Sequence, residues 1–174
     1  MARFLGVRVS LLFLTLSAIG SSVGADEWKL IAPEGADLTC EMPGTPKASN
    51  QKVDTAVGPI EVILHVLEFE GGAFLVNSTT IPPNAPAATI EERLNGARDG
   101  AVKNSQGKLL EEKKIKLGVN QGREMLIEQG SGLFVRARVY MAGKRLVQVV
   151  AVTKSKEATP DVTRFLDSLK LVKK

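Results

Sequence analysis

The chain has 174 residues, 23 Lys and Arg against 19 Asp and Glu, and a formal net charge of +4. Hydrophobic residues make up 44% and charged residues 24%, a globular composition that excludes a disordered or fibrous chain. With one His and one Cys, an all-protein zinc centre of three or four N/S ligands is out of reach.

The N-terminus reads as an export signal. Arg3 and Arg8 accompany an uncharged apolar run, Val9 to Ile19, and Val23 and Ala25 place small side chains three and one residues before Asp26. The run is far shorter than the roughly 20 residues a spanning helix needs. No Cys sits just after it and no twin-Arg pair precedes it, which points to the general secretory route and away from a lipid anchor. Residues 1–25 are expected to be a cleaved signal peptide. Residues 26–174 are expected to be a single domain, periplasmic or secreted, with no stable membrane insertion after cleavage. Cleavage removes two Arg and no acid, so 21 Lys and Arg remain against 19 Asp and Glu, a net charge of +2. That near-neutral balance argues against a dedicated nucleic-acid binder.

In chain order, Trp28 to Ile31 is a short apolar start, broken by Pro33 and Gly35. Leu38 to Met42 alternates as a half-buried strand and puts Cys40 on its apolar face. No second Cys exists to pair with it, and no neighbouring base activates it, so a buried structural thiol is expected. Pro43-Gly44-Thr45-Pro46 stops the strand. Residues 48–56 are a polar strand candidate. Ile60 to Glu70 is a strand rich in β-branched residues, turned by Gly71-Gly72 into a returning strand, Ala73 to Thr79.

Residues 81–86 cannot hold regular structure, because Pro82, Pro83 and Pro86 each lack an amide donor. The period then changes: Ile90, Leu94, Ala97 and Ala101 form one helical stripe, opened by a Thr89–Glu92 capping box. Four strands follow at Lys108–Leu117, Arg123–Gln129, Leu133–Met141 and Arg145–Thr153. Their short Gly-containing turns impose antiparallel neighbours. A last helix starts at Thr159-Pro160 and repeats Val162, Phe165, Leu166, Leu169 on one face. The pattern predicts an α+β domain with a six- or seven-stranded, mostly antiparallel sheet flanked by helices.

Few side chains are candidates for chemistry. His65 shares its strand face with Ile63 and Leu67, which favours a sheet-face histidine over the base of a triad. A turn at Gly130-Ser131-Gly132 sets Glu124 opposite Arg138 and Leu126 opposite Arg136, with Met125–Ala137 and Ile127–Val135 on the other, apolar face. The charges are expected to form a cross-strand ladder on the outer, solvated face. Lys113, Lys114 and Lys116 read as guards of an edge strand. Asn77-Ser78-Thr79 is a glycosylation sequon that matters only in a eukaryotic secretory host. No residue is assigned a catalytic, cofactor-binding or metal-binding role.

Three segments carry a family resemblance: Glu41 to Pro46 (EMPGTP), Leu117 to Glu124 (LGVNQGRE) and Arg164 to Leu171 (RFLDSLKL). In that order they resemble the PsbP-like family, named for an extrinsic subunit of photosystem II. The resemblance implies an α/β/α sandwich around an antiparallel sheet and an accessory or interaction role without catalysis. No feature of the chain ties it to photosynthesis, so it resembles an exported bacterial cousin. The expected function is a non-enzymatic accessory protein meeting a protein or envelope partner through its sheet edge or loops. Two alternatives stay open. One is a small-ligand binder, marked by an apolar pocket beside residues 81–86. The other is a hydrolase, marked by carboxylates gathered in one cleft.

Overall fold

The computed structural model describes residues 27–55 and 58–172. The expected signal peptide lies outside the described residues. Seven antiparallel strands form the main sheet: β3 (Lys47–Thr55), β4 (Gly58–Phe69), β5 (Gly72–Thr80), β6 (Gly107–Leu117), β7 (Asn120–Gln129), β8 (Phe134–Ala142) and β9 (Arg145–Thr153), in spatial order β3-β4-β5-β9-β8-β7-β6. Two hairpin units are thereby joined along the β5–β9 ladder. The seven strands fall where alternation and turn residues placed them. The β7–β8 register is the one that the three-residue turn dictates, with Glu124 opposite Arg138 and Met125 opposite Ala137.

The early apolar strands do not join this sheet. β1 (Trp28–Ile31) and β2 (Leu38–Pro43) pair with each other, and β10 (Lys170–Leu171) adds to the other side of β2. The last described element is this two-residue strand beyond the last helix, too short for any periodicity to announce. This small sheet lies with helix α2 (Pro160–Asp167) on one face of the main sheet. Leu38, Cys40 and Met42 point inward as their alternation requires, and meet Val162, Phe165 and Leu166 over Phe74, Val76, Val147 and Val149. The Phe74 and Phe165 rings meet at a tilt of 39° with centroids 4.7 Å apart.

Helix α1 (Ile90–Asn104) covers the opposite face, over β6, β7 and β8. Both reciprocal bonds of its capping box form. Leu94 is fully buried against Met125, Ile127, Val139 and Met141, with Ala97 and Ala101 beside it. Ile90 departs from the expected stripe. It is 43% exposed and lines the concavity beside the proline-containing loop. The layers are thus α1, the seven-stranded sheet, and α2 with the small sheet: an α+β sandwich.

Candidate functional site

The chemistry of the molecule concentrates on β7. Adjacent strand residues face opposite ways, so Arg123 and Glu124 leave the sheet on different sides. Gly122 before them is fixed by space. A Cβ there would lie 2.5 Å from the Tyr140 ring, and closer still to the Val139 carbonyl oxygen.

Arg123 shares its face with Met125 and Ile127 and is 3% exposed. A cation so buried requires ionic partners, and three acceptors supply them. Its Nε donates to Glu112 Oε1 at 2.9 Å, and its Nη2 donates to Glu91 Oε1 and to Asn95 Oδ1. Glu91 and Asn95 come from the first two turns of α1. Glu112 comes from β6, where a bulge between Leu109 and Glu111 returns Leu109 and Glu112 to the same side. Arg98 reaches Glu112 Oε2 at 3.2 Å, and Lys114 reaches Glu91 at 3.1 Å. The six side chains line an open cleft of about 340 Å³. The Lys114 hydrogen bond, the largest effect, holds the Glu91 carboxyl below its ordinary range; desolvation opposes it, and the Arg123 charge adds to the lowering.

This cleft gathers the carboxylates and cations that the hydrolase alternative requires. Glu91, held below the ordinary carboxyl range, is unsuited to the general-acid role, which needs a carboxyl kept protonated near neutrality. What the cluster does on its own geometry is fasten α1 to β6 and β7. Sequence reasoning missed it, although one signal existed. Alternation alone puts Arg123 on the apolar face of Met125 and Ile127, which calls for a carboxylate from elsewhere in the chain.

On the other side, Glu124 Oε2 accepts from Arg138 Nε at 2.6 Å, and Arg138 Nη1 donates to Asp167 of α2 at 2.6 Å. Arg136 Nη1 lies 3.9 Å from Glu124 Oε1, and its Nη2 donates to the Lys156 carbonyl. The expected cross-strand ladder is present, but its setting differs from the expectation of a solvated outer face. The small sheet and α2 pack on this side, Leu126 is buried between the charges, and Glu124, Arg136 and Arg138 keep only 17–22% of their side-chain surface exposed.

The remaining candidates do not converge. Cys40 is fully buried, and burial pushes its thiol pKa up to about 12, far from a reactive thiolate. His65 lies on β4 opposite Ala48 and Val76, and burial lowers its pKa. Its Nδ1 is enclosed without a hydrogen-bond partner among the described residues. Asn77 of the sequon is 2% exposed in the middle of the sheet, leaving no room for a glycan on the folded protein. The three Lys of β6 do occupy an edge strand of the main sheet, as expected. No group of three or more His, Cys, Asp or Glu is placed to hold a metal ion among the described residues.

A second concavity, about 280 Å³, opens beside residues 81–86. Ile81, Pro82, Pro83, Ile90 and Met141 supply apolar walls, with Arg93 and Lys144 at the cationic side. The loop is pinned at both ends: Ile81 N donates to the Lys144 carbonyl at 2.8 Å, and Arg93 Nη2 donates to the Pro86 carbonyl at 3.1 Å.

An antiparallel main sheet between α1 and an α2-bearing layer is a PsbP-like fold. The solution structure of cyanobacterial PsbP (CyanoP) from Synechocystis superposes with a TM-score of 0.57, covering 91% of this chain and 98% of that one at 10% sequence identity. At that identity the likeness establishes the fold. No protein-family model and no curated protein sequence matches the chain. Among the described residues no helix is long and apolar enough to cross a membrane.

Proposed function

We propose that the protein is exported and, freed of residues 1–25, works as a non-catalytic interaction module that receives an extended segment of a protein partner along β3. The observation that carries this reading is the contrast between the two edges of the main sheet. β6 is an edge strand crowded with Lys108, Glu111, Glu112, Lys113, Lys114 and Lys116, the usual defence against strand addition. β3 is the other edge. It runs for nine residues, pairs only with β4 among the described residues, and has the largely uncharged sequence KASNQKVDT. A nine-residue edge strand of this kind suits β-augmentation.

Two further points support the reading. The PsbP-like resemblance implies an accessory role. The tripartite pattern of Arg3 and Arg8, an apolar run and Val23-Gly24-Ala25 supports export. The test is site-specific photo-crosslinking in the living host, with the reactive group placed at Asn50 on β3 or at Lys113 on β6. A discrete protein adduct from Asn50 and none from Lys113 is expected, on a mature chain whose first residue is Asp26. Adducts from Lys113 alone, or none from either position, would reject the β3 edge. A full-length chain retained in the cytoplasm would reject export.

A further inference from the structure

Independently of the β3 edge, we propose that the concavity between the proline-containing loop and the start of α1 is a binding site for a small apolar monocarboxylate. Three observations carry the proposal.

First, the walls are pre-formed. Three prolines restrict the loop, Ala85 N donates back to the Pro82 carbonyl at 3.0 Å, and the Ile81 and Arg93 bonds fix its two ends to the β8–β9 turn and to α1. A ligand entering such a site need not order it first, which lowers the cost of binding.

Second, the apolar lining contains a side chain that the protein itself leaves uncovered. Ile90 begins the helical stripe that buries Leu94, yet it is 43% exposed and turned to this concavity, across which Met141 is 5% exposed. An aliphatic body seated between Ile90 and the loop would remove that surface from water.

Third, the charge is one-signed. Arg93 and Lys144 line the site, and neither has a salt bridge among the described residues. Glu92, next to Arg93 in the chain, directs its carboxylate to the Thr89 amide and hydroxyl at 2.7 and 3.0 Å. An anion placed at Arg93 and Lys144 therefore meets two cations with no carboxylate in the lining, although the Glu92 charge is felt at Arg93. At about 280 Å³ the site falls just short of the range of roughly 300–1,000 Å³ typical for drug-sized ligands. It fits one short acid or the last residue of a peptide, whose shared chemistry is an apolar group ending in a carboxylate.

The site carries its own reporter. Met141 lies in its lining, whereas Met42 is buried on the opposite side of the sheet. Methionine-methyl NMR of the protein titrated with hexanoate should show a saturable shift of the Met141 methyl and none of the Met42 methyl. Hexan-1-ol should bind more weakly by about tenfold, the loss expected for one charge-assisted contact. Lys144→Gln should weaken hexanoate to a similar degree. Ile90→Asp should abolish binding while leaving the fold intact, since an acid in the first turn of a helix is favourable. A parallel titration with N-acetyl-leucine separates the sources: tighter binding than hexanoate identifies a peptide chain end, and weaker binding a free acid. The proposal is overturned if neither acid moves Met141 saturably. It is equally overturned if hexan-1-ol matches hexanoate, or if both variants bind as tightly as the unaltered protein.

Discussion

Arg123 and Glu124 are neighbours in the chain, and they solve the same problem on opposite sides of one strand. Each anchors a helix to the main sheet through a guanidinium–carboxylate pair: Arg123 to Glu91 of α1, and Glu124 through Arg138 to Asp167 of α2. The surroundings differ. Arg123 is 3% exposed and answers three acceptors from two elements, whereas Glu124 and Arg138 stay at the edge of the α2 layer, 17% and 22% exposed. A buried cation without partners is costly, while partly solvated groups can fall back on water. The α1 anchor should therefore matter more to the fold than the α2 anchor.

The hardest way to break both anchors at once is through the residue before them. Gly122→Ala would place a methyl group against the Val139 carbonyl and 2.5 Å from the Tyr140 ring. The first obstacle is backbone, so the strands themselves must part. A loss of about 3 kcal/mol is expected from overpacking of this kind, read as a lower urea midpoint at unchanged slope. Wild-type stability in this variant would mean that the contact across β7 and β8 is looser than it stands here.

The two anchors can then be separated. Arg123→Met retains volume but leaves Glu91 and Glu112 without their central cation. Breaking a buried pair costs about 3–5 kcal/mol when the abandoned charge is buried. Here the two carboxylate side chains are 44% and 26% exposed and can turn to water, so about 2 kcal/mol is expected. Glu124→Gln leaves Arg138 its second partner, Asp167, and about 1 kcal/mol is expected. Amide exchange gives the sharper reading. Arg123→Met should accelerate exchange in α1 and spare α2, and Glu124→Gln should do the reverse. Acceleration of both helices by either change would show that the two anchors act as one unit.

The same contrast explains what could be read from the sequence. The β7–β8 ladder was legible because a three-residue turn fixes the register and alternation does the rest, so Glu124 and Arg138 follow by counting. The main strands and both helices were legible for the same reason: each depends on a local period and a local stop. The Arg123 cluster was not, because Glu91 is 32 residues away on a helix and Glu112 reaches it only through a bulge that no local pattern announces. The second sheet escaped for a related reason. The inward alternation of Leu38, Cys40 and Met42 specifies a buried face without saying which sheet it belongs to, and β10 has two residues. The exposure of Ile90 depends on how α1 is placed against the sheet and the proline-containing loop, a tertiary quantity.

The smallest effects are those of pH, and they distinguish the charged half of the sheet from the β3–β5 half, where His65 is the only imidazole. Burial lowers the His65 pKa from 6.5, so on acidification the unfolded chain takes up this proton before the folded one. Stability then falls as pH drops through about 6.5 and is restored above it. The Glu91 carboxyl is held below 4.5, first by the Lys114 hydrogen bond and then by Arg123, so its contribution is present above about pH 4.5 and disappears as pH falls through its lower folded value. Urea midpoints measured from about pH 8 to pH 3 should therefore show two separate declines. His65→Leu should flatten the upper decline and leave the lower one, because no proton can then be bound at position 65 in either state. Glu91→Gln should soften the lower decline and leave the upper one. A decline near pH 6 that survives His65→Leu would mean that the enclosed Nδ1 of His65 is not what the fold protects from acid, and that a group outside the β3–β5 half governs the response.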